Sequence, residues 1–269
     1  MIMKLTTVKR DDLVYFTAPG IETKHCFTTR LGGVSSGHLA AMNIGTHRGD
    51  DPRKVQKNYG ILADDLGFDP EKLVLTTQKH TDTVLRVGAA HWGAGLTAPE
   101  LPDCDALVTD TPGTALVIFT ADCTPVLLYD PVTGAVGAAH AGWRGTARRI
   151  AEKTVQTMVS AFGCKPENIR AAIGPNIAQC CFETDADVPQ ALAESYGEDV
   201  WAYIQKRNDK YYVNLKAVNA LSLRRAGVRH IEVSDRCTAC ETELFWSHRR
   251  TGGVRGSQGA IIVCKEEPR

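Results

Sequence analysis

Apolar residues along the chain fall into two patterns: short unbroken runs, and repeats that return to one face every three or four positions. The runs predict buried strands and the repeats amphipathic helices, and the two alternate through most of the sequence. Asp51-Pro52 opens the first helix, because Asp caps a helix N-terminus and Pro tolerates the first helical position; Val55, Tyr59 and Leu62 then share a face. Residues 73–76 and 84–87 read as strands, which leaves His80 at a strand end or in the connecting turn. Residues 105–109, 114–120, 126–129 and 135–139 follow as four more strands, with turns at Pro112-Gly113 and at 130–134, and predict a meander of neighbours. Ile150, Val155, Met158, Val159 and Phe162 recur at helical spacing up to Gly163, a natural stop. A strand at 169–173, a helix opened by Asp187 and Pro189, a helix at 215–226 and a strand at 260–264 complete the pattern. No linker, repeat or low-complexity tract interrupts it. The expectation is one α/β domain over residues 1–269, with mixed sheets flanked by helices and antiparallel pairs in the middle.

Composition narrows the class. With 43% hydrophobic and 23% charged residues the chain can bury a sizeable core, and its formal net charge of zero argues against a nucleic-acid polymer as partner. A small-molecule substrate is expected instead. Neither a secretory leader pattern nor an apolar run long enough to cross a bilayer is present, so no membrane partner is expected and the cytoplasm is the expected location. The 9 cysteines, an odd number, suit reduced thiols that are buried or bound to metal better than a disulfide framework.

The chemistry concentrates at three residues. A hairpin turning at 130–134 brings Cys123, just after one apolar run, close to His140, at the end of the next. With His80 they form a set of two imidazoles and a thiolate, natural zinc ligands, and three protein ligands with an open fourth position describe a catalytic site. The segment Ala141-Gly142-Trp143-Arg144-Gly145-Thr146 adds two glycines that let a ligand approach the backbone and an arginine able to grip an anion in bidentate fashion. Cys237-Thr238-Ala239-Cys240 offers a second zinc or a redox pair, but no second such pair or zinc-finger histidine pair completes it in the sequence, and burial is its simpler reading. Adjacent Cys180-Cys181 reads as structural.

Phe27-Thr28-Thr29-Arg30, Asn43, Gln78-Lys79-His80, Asp105-Ala106-Leu107, Ala121-Asp122-Cys123-Thr124-Pro125, His140-Ala141-Gly142-Trp143-Arg144-Gly145, Ile173-Gly174-Pro175 and Ser247-His248-Arg249 occur in that order. Together they resemble the YfiH-like family, described both as polyphenol oxidase (laccase-domain) proteins and as purine nucleoside phosphorylases. The resemblance implies layered sheets, a fold like that of the catalytic domain of cytotoxic necrotising factor, and a zinc held by His80, Cys123 and His140. It also implies phosphorolysis of adenosine, inosine and methylthioadenosine, with adenosine deamination alongside. On that basis Arg30 and Arg144 are the expected phosphate contacts, Asn43 and Gln78 join them as substrate-binding residues, and Asp122 or Glu183 is the expected proton shuttle. Two positions depart from the family pattern: Thr81 stands where Gly is usual, and Ser257 where Arg is common.

Two other activities fit the same residues. Cys123 as nucleophile with His140 as its base describes a metal-free thiol hydrolase or amidase, a reading that the family's link to peptidoglycan-precursor editing keeps in view. Copper at the same ligands would give polyphenol oxidase chemistry, although the 8 histidines include no His-x-His of the kind that builds a coupled copper cluster.

Overall fold

The computed structural model describes residues 5–266. Its larger elements form four layers, helix, sheet, sheet, helix. The first six-stranded sheet runs β1 (Thr6–Arg10), β2 (Leu13–Thr17), β3 (His25–Thr28), β15 (Gln258–Val263), β7 (Ala115–Thr120), β4 (Leu73–Leu75). The second runs β14 (His230–Val233), β10 (Arg170–Ile173), β8 (Thr124–Tyr129), β9 (Val136–Ala141), β6 (Ala106–Thr109), β5 (Val84–Arg86). Both are mixed: β4 pairs parallel to β7, β5 to β6 and β14 to β10, and the other pairs are antiparallel.

The unbroken apolar runs follow from this layering, because a strand covered on both faces has no polar side. On β8, Leu127 and Tyr129 point between the sheets and Val126 and Leu128 towards the helices. On β7, Leu116 and Ile118 face the other sheet, while Val117 meets α1 (Pro52–Leu66) through the cluster that holds Val55, Tyr59 and Leu62. The Asp51 carboxylate caps α1 by accepting the Arg53 N–H at 2.9 Å, and Gly67, at φ 72°, ends it in the left-handed region where glycine carries no Cβ penalty. On the far side, after the short α2 (Trp143–Ala147), α3 (Ile150–Phe162) and α5 (Leu215–Arg225) cover the second sheet; Ile150, Val155 and Met158 are buried as the spacing predicts, whereas Val159 is exposed.

The expected meander is only partly formed. β6, β8 and β9 are neighbours, but β7 lies in the opposite sheet, inserted between β15 and β4. The chain therefore crosses from one sheet to the other between β7 and β8, through Ala121-Asp122-Cys123. β9 also extends two residues beyond the predicted stretch, so His140 sits inside a strand instead of at its end. A third, small sheet of β11 (Glu183–Thr184), β13 (Lys210–Val213) and β12 (Ile204–Arg207) packs with α4 (Asp187–Tyr196) beside the crossover, against a cluster that includes Ile177, Phe182 and Cys237.

Candidate metal centre and its cavity

The β8–β9 hairpin supplies the frame. Its turn is closed by Gly134 N–H to the Asp130 carbonyl at 2.9 Å and Asp130 N–H to the Ala135 carbonyl at 3.0 Å. The resulting register sets Thr124 opposite Ala141 and Pro125 opposite His140, so Cys123, one residue before β8, arrives at the His140 end of the hairpin. His80 comes from the loop between β4 and β5 in a left-handed conformation, φ 59°. Ligand atoms of His80, Cys123 and His140 all lie within 4.8 Å of one another; His80 Nε2 is 3.8 Å from Cys123 Sγ, and the two imidazoles meet edge to face with centroids 5.0 Å apart. His140 is buried, Cys123 half-buried and His80 exposed, so the set opens towards solvent on one side. Gly142 is what lets the two ligands come so close to the backbone. A Cβ there would stand 3.0 Å from the His80 ring and 3.1 Å from Cys123 Sγ.

Behind the set stands Asp105, fully buried at the head of β6. It accepts His140 Nδ1–H at 2.7 Å, the backbone N–H groups of Lys79, His80 and Thr81, and the Thr81 hydroxyl. The carboxylate thus fixes the His140 tautomer that leaves Nε2 free for a ligand, and pins the loop carrying His80. Burial opposes the charge on Asp105, but the His140 bond and charge and the Thr81 donors outweigh it and hold the carboxyl at about 2. Thr81, one of the two departures from the family pattern, spends both its N–H and its hydroxyl on this carboxylate. Burial also disfavours charge on Cys123 and His140. The pair nevertheless charge each other: the thiol is drawn down to about 6 by His140 and His80, and the imidazole is raised to about 9 by Cys123 and Asp105. The thiolate is already the donor state that a zinc or copper ion requires, and binding the ion would displace the second proton of His140 from Nε2, the nitrogen that Asp105 leaves facing the set.

His80 and Cys123, with His140 buried behind them, open into a cavity of about 380 Å³ lined by His80, Asp122, Cys123, Trp143, Phe182 and Arg255, and also by Ala121, Ile177, Leu215, Arg48, His248 and Arg249. Its wall joins a larger apolar and aromatic part, Ala121, Trp143, Ile177, Phe182 and Leu215, to three arginines, Arg48, Arg249 and Arg255. Arg48 Nε and Arg255 Nη1 both donate to the Ser257 hydroxyl at 3.2 Å, and Arg255 Nε is buried without a hydrogen-bond partner. Burial and the charge of Arg48 pull Arg255 down to about 10, still cationic at neutral pH. Two guanidinium groups converging on one neutral oxygen form a site that an anion would relieve. Ser257, the second departure, orients both arginines.

The remaining expected residues are placed differently. Asp122 lies on the cavity wall at φ 91°, with Oδ1 accepting the Thr238 hydroxyl at 2.6 Å and Oδ2 accepting the Ser247 hydroxyl at 2.9 Å and the Arg249 N–H at 2.7 Å. Both oxygens are occupied in bracing the crossover against α6 (His248–Thr251). Arg144 is exposed, stacked 4.2 Å over the ring of Trp143, which does line the cavity. Gln78 caps β7 through Phe119 N–H at 2.6 Å and the Phe119 carbonyl at 2.9 Å, and lines an adjoining cavity that shares Arg48. Arg30 donates to the carbonyls of Ala40 and Thr242, and buried Asn43 binds Gly45, Asp50 and Ser257; neither lines the cavity. Glu183 is exposed, with its carboxylate on the Tyr212 hydroxyl at 2.5 Å. Sequence reasoning assigned no role to Asp105, Arg48, Phe182, His248, Arg249 or Arg255. Asp105 was signalled by a charged residue heading an apolar run, and Arg255 by its setting among Gly252, Gly253 and Gly256, which parallels that of Arg144.

The chain is similar to known proteins along most of its length. Residues 24–265 match the family described as multi-copper polyphenol oxidoreductase laccase. A purine nucleoside phosphorylase of Deinococcus radiodurans is 42% identical over 247 residues, covering 91% of this chain and 90% of its own length. The purine nucleoside phosphorylase YfiH of Escherichia coli is 37% identical, covering 84% and 87%. The crystal structure of YlmD from Geobacillus stearothermophilus superposes with a TM-score of 0.91 at 36% identity, over 97% of this chain and 99% of that one.

Proposed function

The chain belongs to the multi-copper polyphenol oxidoreductase laccase family, that of the YfiH-like proteins, and from this premise we propose that it is a metal-dependent purine nucleoside phosphorylase. Its substrates in this reading are adenosine, inosine and methylthioadenosine, with adenosine deamination at the same site. The observation that carries the proposal is the meeting, in one cavity of about 380 Å³, of a three-ligand centre, a group of arginines and two aromatic faces.

His80, Cys123 and His140 would hold zinc, or copper in its place, and the ion would supply polarisation of a water or phosphate oxygen at its open position. Arg48 and Arg255 bind phosphate, their fork of donors already turned inward by Ser257. Arg249 is anchored on the carbonyls of Cys181 and Glu183 and adds positive charge beside Phe182. Trp143 and Phe182 take the flat purine, and Ile177 and Leu215 exclude water around it. In phosphorolysis a phosphate oxygen bonds to ribose C1′ as the bond to purine N9 breaks, and the base leaves with the electron pair and takes up a proton. In deamination water adds at C6 and ammonia departs. His248 lines the cavity and is held below its ordinary value by burial and by Arg255, so it is neutral near pH 7 and able to pass a proton.

The test is adenine release from adenosine with and without phosphate, with metal content by mass spectrometry, for wild type and Cys123→Ala. Phosphate-dependent release that disappears together with a bound metal in the variant supports the proposal. Wild type that carries a metal lost in Cys123→Ala, yet leaves all three nucleosides intact in phosphate, would sink it.

One observation favours a second reading. Asp105, His140 and Cys123 stand in the order of orienting carboxylate, base and nucleophile, with the thiol drawn down to about 6. A thiol hydrolase predicts that Cys123→Ala loses no metal relative to wild type and that Cys123 alkylates rapidly above about pH 6. The phosphorylase predicts a metal-bound thiol that resists alkylation until a chelator is added.

A further inference from the structure

Outside the cavity a second group of donors comes together, and the sequence gives little warning of it because its members lie in two distant segments. Cys180 and Cys181 sit in a turn closed by the Cys181 and Phe182 N–H groups on the Ala178 carbonyl, at 3.0 and 2.9 Å. Cys237 and Cys240 sit in another, closed by the Cys240 and Glu241 N–H groups on the Cys237 carbonyl, both at 3.1 Å. Pairing of Asn176 with Cys237 and the Thr238 N–H to the Asn176 carbonyl at 3.0 Å draw the two turns together. The Cys180 sulfur is then 3.7 Å from each of the sulfurs of Cys181, Cys237 and Cys240, and the Cys181 and Cys240 sulfurs are 3.4 Å apart. All four lie within 4.8 Å of one another.

From this geometry we propose a second metal centre, a closed four-thiolate zinc site formed by Cys180, Cys181, Cys237 and Cys240. A Zn–S bond of about 2.3 Å in a tetrahedron places neighbouring sulfurs about 3.8 Å apart, close to the observed spacing. Disulfide-bonded sulfurs would be about 2 Å apart. A cubane iron–sulfur cluster binds each thiolate to a different iron and holds the four much farther apart. The surroundings suit a site of net negative charge: the Ala178 N–H points at Cys237 Sγ at 3.3 Å, and Arg250 Nη2 lies 4.0 Å from Cys181 Sγ. The Cys-x-x-Cys that lacked a second pair in the sequence acquires one through the fold.

Four protein ligands leave no open position, so this centre is structural. It ties together the segments that build one wall of the substrate cavity. Phe182 follows Cys181 directly, Arg249 donates to the Cys181 carbonyl, Arg250 to the Ala239 carbonyl at 2.6 Å, and Thr238 to Asp122.

The experiment is metal analysis of protein purified without added metal, for wild type, Cys123→Ala and the double variant Cys180→Ser, Cys240→Ser. The expected result is one zinc per chain retained in Cys123→Ala and one zinc lost from the double variant relative to wild type. Cobalt substitution of wild type and Cys123→Ala asks the same question without disturbing the four cysteines, should the double variant fail to fold. Intense thiolate-to-cobalt charge-transfer bands with tetrahedral d–d bands, persisting in Cys123→Ala, support four thiolates on one ion. Cys123→Ala that holds neither zinc nor cobalt overturns the proposal. So does a disulfide among these four cysteines in the purified protein, found by alkylation and peptide mass spectrometry.

Discussion

At Asp105 one carboxylate serves a ligand and a loop at the same time. Because it orients His140 and anchors the backbone beside His80, Asp105→Asn is expected to weaken metal binding by about 10- to 100-fold, read by competition with a chelator. The same group makes metal-free stability depend on acid. Its folded value of about 2 lies below the ordinary 3.8, so its contribution is complete above about pH 5 and is lost as the pH falls through about 2. The shift corresponds to about 2 kcal/mol, and urea unfolding of the apo protein at pH 6 and pH 2.5 will show the advantage of wild type over Asp105→Asn shrinking at the lower pH. Gly142 is a second single-residue control. Gly142→Ala places a methyl group against His80 and Cys123, and the expected outcome is reduced metal content in a protein of nearly wild-type thermal stability.

Among the elements, α1 and the β8–β9 hairpin were the most legible, and for different reasons. α1 carries its start, face and stop locally, in Asp51-Pro52, in Val55, Tyr59 and Leu62, and in Gly67. Asp51 follows Arg48 by three residues but does not line the cavity, and its side chain is turned to the helix, so Asp51→Ala is expected to cost about 1 kcal/mol in urea unfolding while leaving catalytic turnover unchanged. A drop in turnover would mean that α1 positions the site more directly than its packing indicates. The hairpin was legible through its turn, and with it the meeting of Cys123 and His140. β7 was not: an apolar run covered on both faces reads the same in either sheet, so nothing local told it to pair with β15 and β4 instead of with β6 or β8. The short strands of the third sheet carry mostly half-buried and exposed residues, and their alternation was too brief to register.

Over the whole molecule, the proposed anion site is the clearest product of long-range convergence. Arg48 and Arg255 come from opposite ends of the chain and meet on Ser257, so Arg48→Ala and Arg255→Ala are each expected to raise the KM for phosphate at least about tenfold, the scale of one charge-assisted hydrogen bond of 1.5 to 3 kcal/mol. Steady-state kinetics at varied phosphate would check this; unchanged KM in both variants would move the phosphate elsewhere, Arg144 being the next candidate. By itself the sequence determined the α/β class, the apolar strands, α1 and α3, and the three metal-ligand candidates, because each of these is written in spacing, capping and residue chemistry over short stretches. Only the tertiary structure decided which sheet β7 joins, that Asp105 stands behind His140, that Arg48, Arg249 and Arg255 line the cavity while Arg30 and Asn43 do not, and that four cysteines form one cluster. Those outcomes depend on contacts between residues tens to hundreds of positions apart, and a local pattern of apolar and polar residues carries no record of which distant segment will arrive beside it.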